Sequence, residues 1–204
     1  MTKMILIITI FLFQLSSAND TVNKTTILFL GDSLTEGLGV NRDDAYPKLV
    51  ETLLQTKIKK NITVINGGVS GSTTSDALAR LQWYMKKKPS LVFIALGAND
   101  GLRGLNLQQS QKNLEEIIEY AQNSGAKVFL AGMLIPPNYG PNYANEFKTM
   151  YQNLKNKYNL KSISFLLDGV AGKKELNQRD GIHPNEKGHQ HIANNVFKFI
   201  KENL

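Results

Sequence analysis

Apolar residues along this chain fall into two alternating patterns, short continuous runs and longer stretches of helical period. The runs are Thr26–Leu30, Ile62–Asn66, Leu91–Leu96, Lys127–Ala131 and Ile163–Leu167, of strand length and rich in β-branched and aliphatic residues. Continuous rather than alternating apolarity marks strands covered on both faces, as in a parallel sheet. Between the runs, apolar residues recur three and four apart. One such stretch extends from Pro47, suited to a first helical turn, to about Lys57. Another covers about Thr74 to Lys87, with Ala77, Leu78 and Leu81 as its apolar positions. A third covers about Gln108 to Asn123, places Leu114, Ile117, Ile118 and Ala121 on one face, and has Gly125 as its stop. Residues 144–158 space Ala144, Phe147, Tyr151, Leu154 and Tyr158 the same way. The closing helix, from about Glu186, turns Ile192, Ala193, Val196, Phe197 and Ile200 inward. Strands that each lead into a helix imply right-handed crossovers and a three-layer α/β/α sandwich around a five-stranded parallel sheet.

The first residues break this pattern. A short basic start at Lys3, the apolar stretch Met4–Phe13 and the small residues Ser16 and Ala18 have the form of a secretory signal cleaved after Ala18. A membrane anchor is the alternative, but a spanning helix needs about 20 apolar residues. Residues 19–204 then form a single domain, with no repeat or linker to divide it, and the expectation is an exported, periplasmic or secreted monomer without stable membrane insertion. The chain has no cysteine, which excludes disulfides, thiolate metal sites and a cysteine nucleophile. Its net charge of +7 is spread along the sequence, and the densest run, Lys86-Lys87-Lys88, suits a solvated helix end. No basic segment is interleaved with aromatics, so a nucleic-acid partner is not expected, while weak attraction to anionic surfaces is.

Ligands of such sheets bind beyond the carboxyl ends of the strands, and the residues with chemistry to offer fall there. Gly31-Asp32-Ser33-Leu34 follows the first run and makes Ser33 a candidate nucleophile, although Gly-Asp-Ser read alone is ordinary turn chemistry. Gly71 ends the loop after the second run, and Asn99 lies in Leu96-Gly-Ala-Asn-Asp100 after the third. A serine nucleophile needs a base within hydrogen-bond reach, and that base needs an orienting carboxylate. Of the three histidines, His189 and His191 belong to the closing helix, which should turn them away and make their removal nearly silent. His183 precedes that helix in Asp180-Gly-Ile-His183-Pro184, and Asp180 is close enough to reach the same site, although Asp and Pro also serve helix entry. Acyl transfer generates an oxyanion that requires preorganised donors. The backbone N–H groups of Ser33 and Gly71 and the Asn99 amide offer three, where plain turn geometry and Asx capping are the other readings. No His or carboxylate cluster has metal-ligand spacing, so neither metal nor cofactor is expected.

Taken together, Gly-Asp-Ser33-Leu, Gly-Val-Ser-Gly71, Gly-Ala-Asn99-Asp and Asp180-Gly-Ile-His183-Pro resemble the four ordered blocks of the SGNH hydrolase (GDSL lipase/esterase) family. Within it the chain looks most like the thioesterase I, lysophospholipase L1 and arylesterase group, notably in Leu96–Gly104 and Pro136-Pro-Asn-Tyr-Gly140. The resemblance implies a flavodoxin-like strand order of 2-1-3-4-5 and export. It further implies Ser33 as nucleophile, His183 as base, Asp180 as its partner, and Gly71 and Asn99 as oxyanion donors. The substrate so implied is a small-molecule or lipid acyl ester or thioester, bound with help from a loop over 135–143. A carbohydrate acetylesterase on the same blocks is the alternative, and a phosphate-holding binding module without catalysis is a more distant one. One departure is Ser72, where the group commonly has an acidic residue, and it puts substrate preference in doubt.

Overall fold

A computed structural model describes residues 25–59 and 61–204, so the expected export signal, residues 1–18, lies outside the described residues. Five strands, β1 (Thr25–Gly31), β2 (Ile62–Gly68), β3 (Leu91–Ala95), β4 (Lys127–Ala131) and β5 (Lys161–Ile163), form one parallel sheet of order β2-β1-β3-β4-β5. The helices are α1 (Ser33–Glu36), α2 (Tyr46–Ile58), α3 (Ala77–Met85), α4 (Ala98–Leu102), α5 (Leu107–Asn123), α6 (Pro141–Lys157) and α7 (Glu186–Asn203). Helix α2 packs with α7 on one face of the sheet, while α5 contacts α3 and α6 on the other. This is the expected α/β sandwich with the expected strand order.

Register explains how the sheet and the α2/α7 layer fit. Phe29 pairs with Phe93 and Phe93 with Phe129, so three aromatic rings line up across the central strands. Tyr46 of α2 meets Phe29 edge-on at 5.6 Å, and Phe199 of α7 meets Phe129 edge-on at 5.0 Å, the arrangement the ring quadrupoles favour. The outer edge of β2 is closed by α2 rather than by another strand. Glu51 Oε1 accepts from Val64 N at 2.8 Å, and Gln55 Nε2 donates to the Ile62 carbonyl at 2.7 Å.

Two elements differ from expectation. The stretch expected as one helix from Thr74 opens as a 3-10 turn, Thr74–Asp76, with Thr73 and Asp76 capping each other, before α3 begins at Ala77. The fifth strand lies earlier than the apolar run Ile163–Leu167. Pairing with Ala131 stops at Ile163, Leu166 N then bonds the Gly132 carbonyl at 3.0 Å, and the chain turns with Leu166 buried. The apolarity of that run reflects a turn tucked against the core, which has no period to distinguish it from a strand.

Candidate active site

The turn after β1 is built so that Ser33 opens a helix at the sheet edge. Asp32 Oδ1 accepts from Leu34 N at 3.0 Å and caps α1. Gly37, at φ 89, ends α1 after a single turn. Space is as tight as it can be. A Cβ on Gly31 would lie 2.0 Å from Thr35 Oγ1, and one on Gly68 of β2 would lie 2.1 Å from Glu36 N. The two glycines therefore let α1 rest directly on β2.

From the far end of the chain, the segment before α7 brings His183 over Ser33. Asp180 Oδ1 accepts from the backbone N–H groups of Ile182 and His183, both at 3.0 Å, and Oδ2 lies 2.7 Å from His183 Nδ1. These bonds, the His183 backbone N–H first, pull the Asp180 carboxyl down to about 2. An ionised Oδ2 accepts from Nδ1–H, which leaves Nε2 as the acceptor, and Nε2 stands 3.0 Å from Ser33 Oγ. Gln178, which sequence reasoning missed, ties the two loops together. Its Nε2 donates to the carbonyls of Leu38, at 2.7 Å, and Pro184, at 2.9 Å.

Gly71 and Asn99 meet each other beside the exit of β1. The Asn99 amide donates to the Ser72 carbonyl at 2.9 Å, and Arg103 Nη2 donates to the Gly71 carbonyl at 2.9 Å. Glu36 of α1 holds the preceding residue by accepting from Ser70 N at 2.8 Å. Val69 N donates to the Gly31 carbonyl at 3.2 Å, which ties the turn to the residue two before Ser33. With both carbonyls of the turn engaged and Gly71 at φ 78, the turn is fixed by its acceptors, and the Gly71 N–H donates to no partner among the described residues.

Ser72, the departure from the group, has its own partners. Its hydroxyl contacts the Asp76 carboxylate and accepts from Arg80 Nη2 at 2.8 Å. The same guanidinium nitrogen donates to the Gly31 carbonyl at 3.1 Å. The serine hydroxyl thus links the turn to the Asp76 carboxylate four residues later. Sequence order hides this, because Asp76 also reads as a cap.

Two buried groups near the site titrate abnormally. Burial pushes the Asp32 carboxyl up to about 6, and its Oδ2 has no hydrogen-bond partner among the described residues. His189 has a part of its own in the core. It is turned away from Ser33 but buried, stacked on Tyr46, with Nδ1 accepting from Tyr46 N at 3.3 Å. Burial lowers it to about 4, so this ring is a neutral group packed into the core. His191 is exposed, as expected.

The GDSL-like Lipase/Acylhydrolase family matches residues 29–191, a span that contains every block described above. The chain belongs to this family. It is 37% identical to Esterase TesA of Pseudomonas aeruginosa, over 86% of this chain and 88% of that protein. It is 33% identical to Thioesterase 1/protease 1/lysophospholipase L1 of Escherichia coli, over 94% of this chain and 90% of that protein. The crystal structure of TesA superimposes with a TM-score of 0.84 at 36% identity, covering 88% of this chain and all of that one. This GDSL family member is accordingly an ester-hydrolysing enzyme, and among its described residues no helix is long and apolar enough to cross a membrane.

Proposed function

We propose that the chain is an exported serine esterase that hydrolyses acyl esters or thioesters through an acyl-enzyme on Ser33. The observation that carries this reading is the relay from Ser33 Oγ through His183 to Asp180, with spacings of 3.0 and 2.7 Å between residues from opposite ends of the sequence. In the proposed cycle Ser33 Oγ attacks the acyl carbonyl as its proton passes to His183 Nε2. The resulting imidazolium faces the Asp180 carboxylate. The tetrahedral oxyanion receives hydrogen bonds from the N–H groups of Ser33 and Gly71 and from the Asn99 amide. Protonated by His183, the alcohol or thiol departs and leaves Ser33 acylated. Water then attacks the acyl group, gives its proton to His183, and the collapse of the second intermediate restores the serine. None of these steps requires a cofactor.

The surface around the site supports an acyl chain as the group held. Leu38, Val69, Leu105, Leu134, Tyr139 and Ile182 are exposed, and all stand at the carboxyl edge of the sheet. Tyr139 and Tyr143 tie the 135–143 loop to the segment after Asn99, donating to the carbonyls of Leu102 and Leu105 at 2.9 Å each. An apolar rim of this kind favours acyl chains over acetylated glycans. Residues 19–204 would act as one domain after removal of residues 1–18.

The test is hydrolysis of p-nitrophenyl esters of graded chain length by wild type and Ser33→Ala. Ser33→Ala should lose about 10³-fold or more in kcat, and wild-type kcat/KM should rise from acetyl to longer chains. An unchanged rate in Ser33→Ala would remove the acyl-enzyme, and activity confined to acetyl groups would favour the glycan substrate. Sequencing the amino terminus of the exported protein checks the cleavage site after Ala18.

A further inference from the structure

The fold sorts the charges that look dispersed in the sequence. In a parallel α/β sandwich every crossover helix begins at the carboxyl edge of the sheet and ends at the amino edge, so lysines scattered along the chain can arrive at one place. Lys57 lies in the last turn of α2 and Lys59 follows it, Lys86, Lys87 and Lys88 follow α3, and Lys161 opens β5. All six are exposed, and none makes an ion pair among the described residues. Glu119 and Glu202 are carboxylates near this edge, and Glu119 is engaged by the Tyr158 hydroxyl. The four arginines, Arg42, Arg80, Arg103 and Arg179, are all on the opposite, catalytic edge, three of them beside or one residue from the carboxylates of Asp43, Asp76 and Asp180.

Neutralising helix dipoles accounts for part of this arrangement. Lys127, which opens β4, does so by donating to the Asn203 carbonyl at the end of α7. The ammonium groups of Lys86, Lys87 and Lys88 make no such bond among the described residues. Lys87 instead lies 5.4 Å from the ring centroid of Trp83, which is 55% exposed. An exposed indole among unpaired lysines combines the aromatic group that prefers the headgroup region with the point charges drawn to anionic lipid. A nucleic-acid groove would use arginine forks, and all four arginines lie on the other edge.

We infer that the amino edge of the sheet, centred on Trp83 and Lys86–Lys88, is a docking surface for an anionic phospholipid bilayer. β1 enters the sheet at this same edge, with Thr25 N bonded to the Asn61 carbonyl at 3.0 Å. Docked this way, the enzyme holds Ser33 on the side facing away from the bilayer, open to substrates in solution or on an apposed surface.

Trp83 is the only tryptophan in the chain, so its emission reports this face alone. The experiment titrates the protein with vesicles of phosphatidylcholine, with and without 30% phosphatidylglycerol, following Trp83 fluorescence and co-sedimentation. Anionic vesicles should sediment the protein and shift the emission to the blue, and about 0.5 M salt should reverse both. Lys86→Gln, Lys87→Gln and Lys88→Gln combined should weaken partitioning roughly a hundredfold, near fivefold for each lysine at an anionic surface. Hydrolysis of a soluble ester by that variant, without vesicles, should be unchanged, which also establishes that it folds. Equal affinity for neutral vesicles, or sedimentation that leaves Trp83 emission and the triple variant unaffected, would overturn the inference. So would tighter binding to duplex DNA than to the anionic vesicles at the same salt.

Discussion

Asp32 and Asp180 flank the same serine and hydroxyl-accepting imidazole, yet their surroundings push them in opposite directions. Asp32 is buried, and its folded value of about 6 lies above the ordinary carboxylate value of 3.8. A raised value favours the neutral form in the folded state, so this stabilisation is present below about pH 4 and disappears as pH rises through 6. Asp32→Asn removes the titration while keeping an acceptor for Leu34 N. Its unfolding free energy relative to wild type should therefore improve by about 3 kcal/mol between pH 4 and pH 8, as read by urea unfolding at the two pH values. No relative change would mean that the carboxylate finds a partner when it ionises. Asp180, at about 2, stays ionised through the working range, and its contribution is lost only as pH falls from about 4 through 2. Asp180→Ala should lower kcat by roughly 10²- to 10⁴-fold with KM changed far less, because it orients and stabilises a base without touching substrate. His189 follows the depressed pattern. Its value of about 4 means stability is lost as pH falls from 6.5 to 4. His189→Asn, which keeps an acceptor for Tyr46 N, should flatten that acid limb in the same urea measurement.

Helices and strands set how far the site residues can move. Close packing of α1 on β2 makes Gly68 a positioning residue for Ser33, the proposed nucleophile. In Gly68→Ala the added methyl meets backbone at 2.1 Å, so α1 must shift and carry Ser33 away from His183. A loss of about 10²-fold in kcat with an unchanged far-UV spectrum is expected, since a displacement near 1 Å has that effect. Tyr151 of α6 does comparable work for Asn99 by donating to the Leu96 carbonyl at 2.7 Å beneath the turn at Gly97. Tyr151→Phe leaves that carbonyl buried and unpaired, which should destabilise the fold by about 1–3 kcal/mol in thermal melts. These contacts mark the limit of what the sequence makes legible. Period and punctuation located β1 to β4 and the long helices, because those signals are local. The misplaced fifth strand, the buried role of His189, and the parts played by Gln178 and by Arg80 at the Gly31 carbonyl depend on partners far along the chain. Nothing in the neighbourhood of any one of them identifies those partners.

At the scale of the whole molecule, parallel topology collects what the sequence disperses. It gathers Ser33, Gly71, Asn99 and the Asp180–His183 loop on one edge, which is why four short motifs could be read as one site. It also gathers six exposed lysines on the other edge, and this was not legible, because a linear reading of charge shows only that it is spread. Strand order came from the likeness to a family and not from periodicity, which carries no information about neighbours in a sheet. The two residues of the Ser33–His183 hydrogen bond are separated by 150 positions, one just after the first strand and the other just before the last helix. As the chain emerges, the proposed nucleophile is therefore made early and remains inert until the loop before α7 has docked. Hydrolysis thus reports docking of the Asp180–His183 loop and α7 onto the sheet. On dilution from urea, turnover should return no earlier than the slowest folding phase, and a chain that stops before α7 should stay silent however well its sheet has formed.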